Sequence, residues 1–246
     1  MITDIIEESG VEVIFSYSPA WEMFFSMHVL SGPDHHVSRR KWRQSVERKN
    51  PELAERVRNL QDITIGWTLL IDIPAWDELR QMEIPELFEF LRRKNIYEWN
   101  EMILPLGKQM SIEERNQVLD TSGEYYRLIF KREEVVLRPY ISRILKEEKE
   151  SCMKRGIWNW CRRIHPRLFV GEDYITYLKN REYSFQKKEI KRIYASVSTF
   201  VSPHLWMYEE AHGLEIVKRI QVEDPEDSIP DDFVRLFKAL ANPVRL

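Results

Sequence analysis

The chain has 246 residues, of which 43% are hydrophobic and 12% aromatic, and its formal net charge is −3. This composition gives enough apolar material for one large globular domain or two smaller ones. Residues 1–10 carry acidic groups and no basic stretch, and no segment of the chain reaches the roughly 20 apolar residues of a membrane span. We therefore expect a cytoplasmic protein with neither a secretory signal nor a membrane-spanning helix.

The predicted elements begin with a short strand at residues 11–16, where β-branched residues are frequent. Ser18 and Pro19 then predict the start of a helix, because serine caps free amide groups and proline fits the first helical position. Gly32 and Pro33 predict its end. Further helix starts are predicted at Ser38, Asn50-Pro51 and Ile84-Pro85.

The middle of the chain predicts a long helical tract. Ser111 and Glu114 have the spacing of a capping box, which opens the tract. Pro139 is expected to kink or break it, because proline removes a helical hydrogen bond and clashes with the preceding turn. Gly156 and Pro166 are expected to interrupt it again.

Residues 172–192 also show a helical pattern, and the β-branched, alternating residues of 195–206 and 214–222 predict a small antiparallel hairpin. The expected fold is mainly α, formally α+β, with a helical N-terminal domain over residues 1–222 and a minor antiparallel β element. The acidic, proline-containing residues 223–229 predict a linker.

Charge is unevenly distributed along the chain. Residues 138–167 contain nine Lys or Arg against three Glu, and residues 209–232 contain nine acidic residues against two basic ones. The basic stretch suits contact with DNA phosphates, and it equally suits a solvated helix face that Glu147, Glu148 and Glu150 interrupt.

The C-terminal residues 230–246 predict a short amphipathic helix followed closely by the start of a second one. Four apolar residues share one helical face: Phe233, Leu236, Phe237 and Leu240. Asn242 suits the end of the first helix, and Pro243 suits the start of the next. This arrangement is typical of a helix-turn-helix module and also of an ordinary helical hairpin.

The last eleven residues, LFKALANPVRL, resemble the opening of the winged helix-turn-helix domain in ArsR-family transcription regulators. The resemblance implies that residues 230–246 are the truncated start of a DNA-binding domain whose recognition helix lies beyond Leu246. DNA would then be a partner of the full-length protein, and this chain alone is not expected to bind DNA selectively.

A second resemblance lies near the N-terminus. Residues 15–30, FSYSPAWEMFFSMHVL, are followed by Pro33, His35-His36 and Trp42, and together they resemble the start of the N-terminal domain of one group of ArsR-like regulators. The resemblance implies a sensor or dimerisation domain. We expect a homodimer and a small-molecule effector, because winged-helix regulators commonly act as dimers on two-fold operators.

Aromatic residues offer the only indication of a ligand pocket. Trp21, Phe24, Phe25 and His28 share one face of the first predicted helix, a pattern that is also typical of a core. The candidate pocket residues are Tyr17, Trp21, His28 and Trp42.

Metal and catalytic motifs are scarce. Cys152 and Cys161 lie nine residues apart, which suits neither a metal knuckle nor a disulfide framework, so we expect two reduced, buried thiols. Asp34, His35 and His36 are adjacent, and adjacent side chains do not normally converge on one metal ion. We predict no metal and no cofactor.

The sequence contains no nucleophile elbow, phosphate-binding glycine loop or dinucleotide fingerprint. The two resemblances imply a bacterial transcription regulator of ArsR type rather than an enzyme, with no catalytic residues, and the lack of these motifs is consistent with that expectation. The alternative is a helical enzyme or small-molecule-binding protein of unknown chemistry.

Overall fold

The computed structural model of the protein describes residues 2–32, 39–71, 79, 82–178, 182–201, 204–208 and 213–220. The helices within these ranges are α1 (Pro19–Ser31), α2 (Arg40–Lys49), α3 (Pro51–Asn59), α4 (Ile84–Arg93), α5 (Ile96–Ile103), α6 (Ile112–Tyr125), α7 (Lys131–Arg155) and α8 (Ile157–Ile164). The strands are β1 (Ile2–Glu8), β2 (Val11–Tyr17), β3 (Leu168–Val170), β4 (Tyr174–Leu178), β5 (Glu182–Gln186), β6 (Arg192–Ser198), β7 (His204–Tyr208) and β8 (Gly213–Arg219).

The larger sheet has the strand order β1-β2-β6-β8-β7. The hairpin of β1 and β2 turns through Ser9 and Gly10, whose φ angles of 54° and 77° suit a tight two-residue connection. Parallel pairing places Val13 beside Ile193 and Ile193 beside Leu214, so that β2, β6 and β8 run in one direction. Strand β7 closes the edge by pairing antiparallel with β8.

Helices cover this sheet and form the core with it. Helix α7 packs against β1, β2 and β6, and the ring of Phe15 on β2 lies 5.3 Å from that of Trp160 on α8. Helix α1 packs against α3 and α4, and every one of its residues except His28 is buried. A helix that is buried on all sides lies inside the molecule, so α1 is a central element of the core.

The prediction of a mainly α fold with a minor antiparallel β element is wrong. The structure is α+β, with a mixed five-stranded sheet that contains three parallel strands and a separate antiparallel sheet in the order β3-β4-β5. Local patterning missed the main sheet because β2 and β6 come from opposite ends of the chain. Parallel pairing of such distant segments leaves no short-range sequence pattern.

Residues 172–192 are also not helical as predicted. Within 172–178 and 182–192, the ranges that the structure describes, the chain forms β4, β5, a 3-10 turn at Lys187–Glu189 and the start of β6 at Arg192. The burial of β4 alternates along the strand, as expected for one face against the protein and one against solvent. The segment expected as the first strand of the hairpin contains two strands, β6 and β7. Strand β7 pairs antiparallel with β8, which confirms the hairpin for these two strands. Strand β6 instead runs parallel to β8.

Several helix boundaries are confirmed. The Ser18 side chain accepts a hydrogen bond from the Trp21 amide at the start of α1. Ser111 and Glu114 form the predicted capping box of α6. A π-helical turn at Tyr126–Phe130 joins α6 to α7. Helix α7 continues through the exposed Pro139 to Arg155, so of the predicted kink or break at that proline the break does not occur.

The predicted linker at residues 223–229 and the winged-helix start at residues 230–246 lie outside the described residues, as do His35, His36 and Ser38. None of the described helices combines the length and the apolar character that crossing a membrane requires.

Candidate functional site

A group of buried polar side chains lies where β2 and β6 end. Tyr17 is the last residue of β2, and Ser198 is the last residue of β6. Because the two strands are parallel neighbours, both residues lie at the same edge of the sheet, and α1 starts from that edge. Ligand sites in sheets with parallel strands commonly form at this edge. We call the group the buried polar cluster; its members are Tyr17, Glu22, Ser26, Arg39, Trp42, Tyr125, Ser198 and Thr199.

Glu22 is the carboxylate of the buried polar cluster. It lies in the first turn of α1 and is 1% exposed. One of its carboxylate oxygens accepts hydrogen bonds from the Thr199 amide at 2.7 Å and from the Thr199 hydroxyl at 2.5 Å. Burial raises the pKa of Glu22 above its ordinary value, and hydrogen bonds and the positive charge of Arg39 oppose this rise.

Arg39 brings a buried cation to the cluster. It is 2% exposed, and its guanidinium carbon lies 4.3 Å from the ring centre of Phe200 and 5.4 Å from that of Trp42. The two rings contact each other edge to face, with their centres 4.8 Å apart. The cation therefore lies against an aromatic wall, a favourable arrangement for a guanidinium away from water.

Ser26 and Tyr125 complete the cluster on the side of α6. Their hydroxyl oxygens are 2.7 Å apart, and the Ser26 hydroxyl also donates to the Met23 carbonyl at 2.6 Å. Because a serine hydroxyl has one proton, the Tyr125 hydroxyl is the donor in the bond between them. Burial raises the pKa of Tyr125, so this tyrosine keeps its proton and its hydrogen bond.

The Tyr17 hydroxyl and the Trp42 indole are two further hydrogen-bond donors of the cluster, and both are buried. Tyr17 is 1% exposed and Trp42 is 6% exposed. Within the described part of the chain, neither the Tyr17 hydroxyl nor the Trp42 Nε1 has a hydrogen-bond partner. A buried donor without a partner costs about 1–3 kcal/mol, and such groups are normally satisfied by protein, water or a ligand. Both donors therefore have unused capacity to donate to an acceptor.

The structure brings together only part of the predicted pocket. Tyr17 and Trp42 belong to the buried polar cluster. Trp21 is buried on α1, where its ring contacts that of Phe25. His28 lies in the last turn of α1, away from Glu22 in the first turn, and its Nδ1 is 2.5 Å from the Gly66 carbonyl oxygen.

Sequence reasoning missed Glu22, Arg39 and Thr199. Glu22 did carry a sequence signal, because it is the only formally charged residue in the apolar run AWEMFFSMHVL, where burial requires hydrogen-bond partners. Arg39 and Thr199 carried none, since their roles depend on contacts with residues distant in the chain.

An ion-pair network lies within electrostatic range of Tyr17. Arg138 on α7 donates to both carboxylate oxygens of Glu83, at 3.1 and 2.6 Å, and also contacts Glu134. The charges of Glu22, Glu134 and Glu83 add to burial in raising the pKa of Tyr17. The Tyr17 hydroxyl therefore remains protonated and available as a donor.

The smaller sheet borders a separate open cleft of about 550 Å³, lined by Glu172, Asp173, Tyr174, Gln186, Lys187 and Lys188. Lys187 Nζ donates to the carbonyls of Gly171 and Glu172 at 2.6 and 2.8 Å, so this cation stabilises the loop of the cleft.

No group of three or more His, Cys, Asp or Glu side chains in the described ranges is arranged to hold a metal ion. Cys152 and Cys161 are free and buried.

Residues 1–68 match a family model described as a family of unknown function (DUF5937). No curated protein and no solved structure matches the chain. The matched segment contains Tyr17, Glu22, Arg39 and Trp42 of the buried polar cluster, whereas Thr199 lies outside it.

Proposed function

We propose that the chain is the effector-sensing N-terminal part of a bacterial transcription regulator resembling the ArsR family, and that the buried polar cluster binds the effector. The observation that carries the sensing role is the pair of buried donors on Tyr17 and Trp42 without hydrogen-bond partners among the described residues. The DNA-binding role is supported by the sequence LFKALANPVRL at residues 236–246.

The chemistry of the cluster favours a small carboxylate attached to a flat apolar body. An indole N–H can only donate, and the protonated hydroxyl of Tyr17 can donate as well, so the ligand must supply acceptor oxygens. Arg39 supplies a positive charge, and the rings of Trp42 and Phe200 supply an apolar wall. Burial raises the pKa of Glu22, so this side chain takes up a proton more readily than it would in water, and uptake of that proton would remove its repulsion of an anionic ligand.

Benzoate is a suitable probe for this site, with isothermal titration calorimetry and thermal unfolding as the measurements. We expect benzoate to bind the wild-type protein and to raise its Tm. Tyr17→Phe and Trp42→Phe each remove one donor while keeping an aromatic ring, and each should weaken binding about tenfold, the equivalent of one hydrogen bond. Trp158→Phe is the control, because Trp158 contacts Lys187 away from the cluster.

Equal benzoate affinity in all four proteins would place the site elsewhere. If benzoate, phenylacetate and hexanoate all fail to bind the wild-type protein, the carboxylate-sensing proposal is wrong.

The regulator role is tested on the protein encoded by the whole gene. We expect that its coding sequence continues beyond Leu246 with a basic recognition helix and a two-stranded wing, and that fluorescence anisotropy shows selective binding to DNA upstream of the gene. Binding that is indifferent to sequence, or a coding sequence that lacks these elements, would exclude the regulator role while leaving the ligand measurement valid.

A further inference from the structure

The solvent side of α7 carries an apolar stripe with charged ends. Val136 is 57% exposed and Tyr140 is 36% exposed, although both lie in the middle of a well-formed helix. Core-facing residues Leu137, Ile141 and Leu145 occupy the opposite side of the same helix. Residues separated by three or four positions share one helical face. We define the α7 stripe as Arg132, Val136, Pro139, Tyr140, Arg143 and Glu147, all of which are exposed.

The order of charges along the α7 stripe is self-complementary. A second copy laid antiparallel, with the midpoint of Pro139 and Tyr140 as the crossing point, places Arg132 opposite Glu147 of the second copy. The same alignment places Val136 opposite the aliphatic stem of Arg143. The guanidinium carbon of Arg143 lies 5.2 Å from the ring centre of Tyr140, and its Nε lies 3.7 Å from Glu147 Oε1 in the same helix, so Glu147 would contact Arg143 of its own copy as well as Arg132 of the second copy. A parallel alignment would instead place Arg132 against the Arg132 of the second copy.

We propose that the α7 stripe is the contact surface between two copies of this chain, packed antiparallel about a two-fold axis. Such an axis makes each contact occur twice, so one Arg132–Glu147 pairing becomes two. Arg132 and Glu147 are about 22 Å apart along the helix, from a rise of 1.5 Å per residue. Because the contact consists of one helix face with charged pairs at its ends, the dimer should weaken as protein is diluted and as salt screens the end pairs. This inference is independent of the proposed function.

Charge reversal tests the alignment. By sedimentation velocity at low ionic strength, we expect the wild-type protein to dimerise and Arg132→Glu or Glu147→Arg to raise the dissociation constant at least about tenfold through like-charge contact. The double variant with both substitutions should recover most of the lost affinity, because it restores opposite charges at both ends. Full recovery is not expected, since Glu147→Arg also removes the ion pair with Arg143 of the same helix. Val136→Glu should weaken the dimer by placing a charge at its centre.

Arg163→Glu is the control for overall charge, since Arg163 is exposed on α8 outside the α7 stripe. Circular dichroism of each variant checks that it is folded. A wild-type protein that stays monomeric throughout the concentration series would overturn the proposal. A dimer that survives both single reversals, or a double variant that does not recover, would also overturn it.

Discussion

One carboxylate oxygen of Glu22 accepts both the amide and the hydroxyl hydrogen bonds of Thr199. The two residues are 177 positions apart, and this contact joins the start of α1 to the chain just after β6. Because both residues are buried, the protonation state of Glu22 is linked to the stability of the connection between α1 and the sheet.

Glu22→Gln should therefore change how stability depends on pH. Burial raises the folded-state pKa of Glu22 above its ordinary value of 4.5, so the folded protein holds this proton more tightly than the unfolded chain does. The contribution of this group is consequently present below pH 4.5 and is lost as pH rises through the folded-state pKa. The glutamine cannot titrate, so the variant should gain free energy of unfolding relative to the wild type as pH rises.

Urea unfolding at several pH values between about 4 and 8 measures this difference. Glu55→Gln, at an exposed position of α3, provides the control and should follow the wild-type profile. Parallel profiles for the wild type and Glu22→Gln would contradict the prediction.

Glu83→Gln should have the opposite pH dependence. Hydrogen bonds from Arg138 lower the pKa of Glu83 to about 2, so its contribution to stability is present above pH 4.5 and is lost as pH falls through about 2. Since the pair is partly exposed, we expect the variant to lose about 1 kcal/mol at neutral pH. Unfolding measurements should show this deficit shrinking toward pH 2, and a deficit that stays constant would be the contrary result.

Tyr17→Phe and Tyr125→Phe should change the free energy of unfolding differently, although both residues are buried tyrosines. In the absence of ligand, Tyr17→Phe should leave the free energy of unfolding unchanged or raise it by up to about 1 kcal/mol, because it removes a donor without a described partner. Tyr125→Phe should lower it by about 1–2 kcal/mol, because it removes the hydrogen bond to Ser26. Chemical denaturation of both variants measures the two changes. A larger loss of free energy of unfolding for Tyr17→Phe than for Tyr125→Phe would show that the Tyr17 hydroxyl does make a stabilising hydrogen bond.

Gly66→Ala should destabilise the protein more than Gly107→Ala. Both glycines have φ in the left-handed region, at 61° and 71°, where a side chain costs about 1 kcal/mol. A Cβ at Gly66 would also lie 3.3 Å from Nδ1 of His28, which contacts the Gly66 carbonyl, whereas a Cβ at Gly107 would meet no atom within 4 Å. We expect an additional loss of about 1 kcal/mol for Gly66→Ala by thermal unfolding; equal losses would show that His28 accommodates the methyl group.

Local features of the fold could be predicted from the sequence, because a few neighbouring residues determine them. Ser18 and Ser111 start helices through contacts within three residues, and both starts are confirmed. The pairing of Val13 with Ile193 depends on the folding of most of the chain, and no local period encodes it. The main sheet was missed for this reason.

The difference between local contacts and contacts of distant residues also applies to the buried polar cluster. Tyr17 and Trp42 could be selected from the sequence because each combines a large apolar surface with one polar atom. Glu22 could be recognised as a lone charge in an apolar run, but its partner Thr199 could not, because the two residues are 177 positions apart. A residue whose partner lies at the other end of the chain cannot be assigned a role from its neighbours alone.

The pairing of β2 with β6 also affects the order of events during synthesis. Glu22 emerges from the ribosome long before Thr199, and at roughly 5–20 residues per second the 177 positions between them take on the order of 9–35 s. During that interval β2 lacks its neighbour β6, and Glu22 on α1 lacks the amide and hydroxyl donors of Thr199. Residues 1–68, the segment that matches the family model, should therefore fail to fold when they are produced as a separate polypeptide.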